Sequence, residues 1–136
     1  LGQYRADRAT EFEYFFAGQG TVLIALKKYL DHIVQECLSC EAAQACLLTK
    51  ALNELAEQDD EVQGILIENL ADWQSSVAEV FRQAITAGEL TGKRSAEKLS
   101  RFFIMGIYGL RTYAQTHPEA EIMHELAEQL FSDLCQ

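Results

Sequence analysis

Proline is almost absent. Pro118 is the only one in 136 residues, and eight glycines complete the supply of chain breakers. β-branched residues are few and never alternate over a long run, so the pattern of half-buried strands is missing. Basic charge is also short: eleven Lys and Arg face 21 Asp and Glu, for a net charge of −10. A surface that acidic repels phosphate, which makes this chain as it stands a poor binder of nucleic acid. Long hydrophobic runs are missing too. The longest, residues 102–110, is far too short to span a bilayer. Arg5, Asp7, Arg8, Glu11 and Glu13 interrupt the start of the chain and exclude the apolar core of a signal peptide. There is no glycine-rich phosphate loop and no nucleophile elbow, so catalysis finds no support.

What remains is helix-forming material. Ala, Leu, Glu and Gln abound, 49% of residues are hydrophobic and 24% are charged. A chain of this length buries roughly two-thirds of its unfolded surface, enough for one domain with a core of its own. Its four cysteines therefore read as free thiols of a reducing cytoplasm rather than as a disulfide framework. The first residue is Leu1, not methionine, and the chain is expected to be part of something longer.

The periodicity predicts an all-α domain of about six helices. The first covers residues 1–17 and ends at Gly18-Gln19-Gly20; Thr21 caps the second, residues 22–38. The third spans residues 42–57. Asp59 and Asp60 are N-cap candidates for a long fourth helix that ends at Gly88, a glycine placed for a left-handed C′ position. Ser95 caps the fifth, residues 96–115. His117 stops it, and Pro118 suits the first turn of the sixth, which runs to about residue 134.

The fifth helix is unusual. Residues 102–110, Phe-Phe-Ile-Met-Gly-Ile-Tyr-Gly-Leu, are apolar on every side, and a helix apolar all round must be covered all round. Gly106 and Gly109 each cost such a helix about 1 kcal/mol against alanine, a cost offset where another backbone comes close. Two arrangements satisfy this: a central helix wrapped by its own chain, or a seam between two chains.

Three cysteines lie together as Cys37, Cys40 and Cys46, spaced C-x2-C-x5-C, with His32 upstream. A structural zinc site needs four converging ligands, and His32 lies about 140° around the helix from Cys37. No metal or cofactor is expected. A redox role needs an accessible thiol of lowered pKa, and no basic residue lies near these in sequence. The alternative is that they are small buried hydrophobes. Trp73 sits on the apolar stripe of the fourth helix, as core or as the wall of a pocket. Arg111 reads as reaching solvent or a salt bridge. Glu121 and His124 make one Glu-x-x-His pair, which stands alone and does not build a di-iron site.

An ordered set of segments resembles one family. Ala45-Cys46-Leu47-Leu48-Thr49, then Glu54-Leu55-Ala56, then Asp60-Glu61-Val62, is similar to a recurrent stretch of the tetracycline-repressor (TetR) family. Ala87-Gly88-Glu89-Leu90 resembles its "AGEL" loop, and the stretch ending in Gly109-Leu110-Arg111 its penultimate helix. The order runs through about residues 20–135. The family often has glycine where Ala45 stands and proline where Asp60 stands. The resemblance implies the C-terminal effector-binding and dimerising domain, residues 1–136, with residues 1–17 as the connecting helix. It implies a homodimer, a small-molecule effector, and DNA contact only through an N-terminal helix-turn-helix domain that this chain lacks. It places Phe12, Phe16, Tyr29, Trp73 and Tyr108 at the effector site. It places Phe102, Met105, Gly106, Gly109, Met123, Leu126 and Leu130 in a four-helix dimer bundle. Some members sense through a thiol, which keeps Cys37, Cys40 and Cys46 as redox candidates.

Overall fold

In the computed structural model, which describes Phe12, Phe16 and residues 20–39 and 60–136, every regular element is an α-helix. Four are α1 (Val22–Cys37), α2 (Asp60–Thr86), α3 (Ala96–Ala114) and α4 (Ala120–Leu134). Phe12 and Phe16 have helical backbone. The rest of the expected helix at residues 1–17, the whole of the one at 42–57, and Cys40, Cys46 and Asp59 lie outside the described residues.

Local chemistry sets the helix ends. Thr21 is the N-cap of α1, its hydroxyl accepting from the Ile24 N–H at 3.2 Å, and Ser95 does the same for α3 through Lys98 N–H at 3.2 Å. At the end of α2, Gly88 takes φ +80°; its N–H reaches the Ile85 carbonyl and the Glu89 N–H reaches that of Ala84. These two bonds form a Schellman motif. His117 ends the turn after α3 at φ +56°. Pro118 does not enter the first turn of α4. Glu119 is the N-cap, so the proline stands just before it, where its fixed φ shapes the approach.

The segment between α2 and α3 binds both ends of the chain's neighbouring helices. The Glu89 carboxylate accepts from Val22 N–H at 3.2 Å and Leu23 N–H at 3.0 Å, covering donors at the positive end of α1. Arg94 donates to the carbonyls of Asp133 at 2.6 Å, Leu134 at 3.2 Å and Gln136 at 3.0 Å, at the negative end of α4. Leu90, between them, is buried in the core.

That core is continuous. α1 contributes Leu26, Tyr29, Leu30, Ile33, Val34 and Cys37, spaced by threes and fours. α2 contributes Val77, Phe81 and Ala84, and α3 contributes Leu99, Phe103, Ile104 and Ile107. Met123, Ala127, Leu130 and Leu134 close it from α4. Each large apolar side chain buried here stabilises the fold by about 1.5–3 kcal/mol. α2 and α3 run antiparallel with the largest shared interface, pinned where the buried Ser100 hydroxyl donates to the Gln74 carbonyl at 2.8 Å.

Candidate functional site

The helix that is apolar all round is not covered all round by its own chain. Phe103, Ile104, Ile107 and Leu110 are buried, yet Met105 is 61% exposed and Tyr113 is exposed beside it. On α4, Ile122 and Leu126 are exposed one turn apart. Together Gly106, Gly109, Leu110, Tyr113, Ile122, Leu126 and Leu130 line an open, almost wholly apolar groove of about 460 Å³. Gly106 lets α4 approach: a Cβ there would sit 2.5 Å from a Leu130 methyl carbon. A Cβ on Gly109 would meet nothing within 4 Å, because that position opens onto the groove.

The seven residues expected at a dimer seam therefore divide. Gly106, Gly109, Leu126 and Leu130 line the groove, Met105 projects from the same helix, and Phe102 is half-buried. Met123 is a correction. It is 0% exposed, because the turn of α4 that points Leu126 outward points Met123 into the core. A side chain wholly covered by its own chain has no surface for a partner. Tyr113 and Ile122 belong to the groove and were not singled out from sequence; their i+4 and i−4 spacing from Gly109 and Leu126 was the available signal.

The five aromatic residues expected at an effector site fall into two groups. Phe12 and Phe16 have ring centroids 4.6 Å apart, and Phe12 meets Tyr29 edge-on at 5.5 Å. Tyr29 continues to Phe103 at 5.9 Å, and Phe103 to Phe81 at 6.0 Å. Phe12 and Tyr29 are buried, so this group is a packed aromatic stack running into the core. The second group is Trp73 on α2 with Tyr108 on α3, tilted by 57° at 5.8 Å. Both are half-buried against the core. Asn69, one turn before Trp73, is a buried amide on the same side of α2.

Of the two expectations for Arg111, solvent or a salt bridge, the structure shows the salt bridge: the residue is 2% exposed, and its guanidinium meets the Glu36 carboxylate at 3.2 Å. The other Glu36 oxygen meets His32 Nε2 at 2.9 Å. His32, Glu36 and Arg111 thus form one polar connection between α1 and α3. Sequence reading missed the His32–Glu36 pair, although i,i+4 spacing on a helix announces it.

Of the thiols, Cys37 is buried at 7% exposure and packs in the core, which denies it the access a redox sensor needs. Burial pushes the Cys135 thiol above its usual pKa, against the opposing pull of Arg94. Among the described residues no cluster of His, Cys, Asp or Glu could hold a metal ion. No described helix is long and apolar enough to cross a membrane.

The described residues form an all-helical bundle with an exposed apolar groove on α3 and α4. Residues 23–130 match the family described as "Tetracyclin repressor-like, C-terminal domain", and the chain belongs to that family. Comparison with curated proteins gave no match, and neither did comparison with solved structures. Membership makes this a domain of transcription regulation, of a type that is typically not an enzyme.

Proposed function

We propose that this chain is the effector-sensing and dimerising domain of a TetR-like transcriptional repressor, acting as a homodimer in the cytoplasm. The observation that carries the reading is the open apolar groove on α3 and α4. An exposed apolar face of this kind on a soluble helical domain marks an interaction site. A second copy, related by a two-fold axis, would lay its own α3 and α4 across the groove and complete a four-helix bundle. Phe102, Met105, Gly106, Gly109, Leu126 and Leu130 would form the seam with Tyr113 and Ile122.

A small, mostly apolar effector would be met by aromatic side chains from the set Phe12, Phe16, Tyr29, Trp73 and Tyr108. Its binding would favour one separation of the two connecting helices, residues 1–17, over another. A separation that no longer matches two DNA half-sites releases the full-length protein. DNA contacts would be made by a helix-turn-helix domain rather than by these helices, in keeping with their acidic charge of −10.

Leu126→Glu tests the seam. Burying an unpaired carboxylate in an apolar interface is prohibitive, so sedimentation velocity at micromolar concentration should show a monomer with unchanged helical circular dichroism. A dimer that survives the substitution would remove α4 from the interface. Native mass spectrometry tests the sensor: a small-molecule adduct on the dimer supports it. A second reading, a ligand-free helical interaction module, draws support from the close packing of Phe12 and Tyr29. A dimer that takes up no small molecule would favour it.

A further inference from the structure

α3 is tied to its neighbouring helices at different levels. Near its start the Ser100 hydroxyl donates to the Gln74 carbonyl of α2 at 2.8 Å. In its middle Gly106 lies against the Leu130 side chain of α4. Near its end the Arg111 guanidinium meets the Glu36 carboxylate of α1 at 3.2 Å. Arg111 is 2% exposed, so this ion pair is made largely out of water, where charges attract more strongly and salt screens them less. Gly109 and Tyr113, which line the groove, each lie two residues from Arg111. Two residues turn a helix by about 200°, so a side chain drawn inward at 111 turns 109 and 113 outward. Between the middle tie and the last one stands Gly109 itself, whose missing Cβ leaves the backbone free to twist.

We propose that Glu36 is a positioning residue for self-association: through Arg111 it holds the C-terminal half of α3 at the rotation that presents Gly109 and Tyr113 to a second copy. This rests on the homodimer proposed above. Glu36 lines no part of the groove and belongs to another helix, so its action is indirect. A seam made by close fit is sensitive to the rotation of its helices, because a small shift opens gaps or forces collisions. A guanidinium suits the task, since its planar fork fixes direction as well as distance. α1 also carries Tyr29, whose ring lies 5.5 Å from that of Phe12 and 6.2 Å from that of Phe16. The helix that orients the seam is thus the one against which residues 12 and 16 pack.

Glu36→Gln keeps the shape of the side chain and removes its charge. Sedimentation velocity over a range of concentrations, at a temperature where circular dichroism shows each variant folded, measures the dimer Kd. Glu36→Gln should raise that Kd by about threefold to thirtyfold, the range of effects that packed residues pass to a site they do not touch. Leu90→Ala is the control, since Leu90 is buried in the core from the loop before α3 and lies outside the groove. It should lower urea stability and leave the Kd unchanged. Should Glu36→Gln fail to fold, Glu36→Asp, which keeps the charge and withdraws it by one methylene, is read in its place. A Kd unmoved by the substitution, or raised equally by Leu90→Ala, overturns the positioning role and leaves the dimer standing. A native chain that stays monomeric at every concentration overturns both.

Discussion

Among the described residues Glu36 meets two basic side chains with one carboxylate, His32 at 2.9 Å and Arg111 at 3.2 Å. Arg111 is held out of water at 2% exposure, so its charge depends on what the interior supplies. Replacing one member of a buried pair takes a counter-charge away from the other, which costs more than the pair was worth. Glu36→Gln should therefore lower unfolding free energy by about 2–4 kcal/mol, the partial exposure of Glu36 holding it from the top of the range for buried pairs. Urea denaturation followed by circular dichroism measures it, and a loss within about 0.5 kcal/mol, as at an ordinary surface position, would contradict it. The surface carries a contrasting case. Arg82 bridges Glu79 and Glu97 in the open. Its hydrogen bond holds the Glu97 carboxyl below the usual carboxylate pKa. A carboxyl lowered on folding contributes stability above its unfolded pKa and loses it as pH falls through the folded one. Wild-type stability should accordingly fall more steeply than that of Glu97→Gln on the acid side, and salt should narrow the gap. Parallel curves at low ionic strength would show the pair to be inert.

At the scale of the element, α3 is the decisive helix, and its two glycines do different work. Gly106 lies against Leu130 of the same chain, where a Cβ would force a shift. Gly109 faces the groove with open space before it. Alanine at 109 should help the isolated helix by about 0.5–1 kcal/mol, since it removes backbone freedom from the unfolded chain without a collision. In a dimer whose seam crosses Gly109, the same methyl would overpack the interface, at a cost of about 1–3 kcal/mol. Gly109→Ala should thus raise the Tm measured in the Leu126→Glu background and weaken self-association of the otherwise native chain about tenfold or more. Unchanged self-association would move the seam away from Gly109. The caps tell a related story of reach. Thr21, Ser95 and Gly88 act within four residues of themselves, so their roles were legible from sequence. Glu89 and Arg94 cap helices far along the chain, and only the folded path brings them there.

For the whole molecule, the proposed dimer would set the stability a cell would see. If the groove is filled by a second copy, folding and association are linked, and Tm should rise with protein concentration for the native chain but not for Leu126→Glu. With a charge of −10 on each copy, that association should strengthen as salt increases, because the proposed seam is apolar and the flanks repel. The effector site proposed at Trp73 and Tyr108 joins α2 to α3, and α3 lines the groove of the proposed seam. A ligand that tightens this pair would act on the helix that two copies would share.

By itself the sequence determined what depends on near neighbours: the all-α class, the four described helices to within a few residues at their ends, the caps at Thr21, Ser95 and Gly88, and the presence of one helix with an apolar run on every side. Those follow from spacing, turn chemistry and charge, which operate over a few residues. The tertiary structure decided which side of each helix is covered. Met123 goes inward and Leu126 outward on the same helix, because the core takes one stripe of an element that is apolar on more than one. Arg111 is buried because Glu36, 75 positions away, arrives to meet it. The five aromatics that resemblance grouped together separate into a packed stack and a half-buried pair, because ring contacts depend on helix register across the bundle and not on order along the chain.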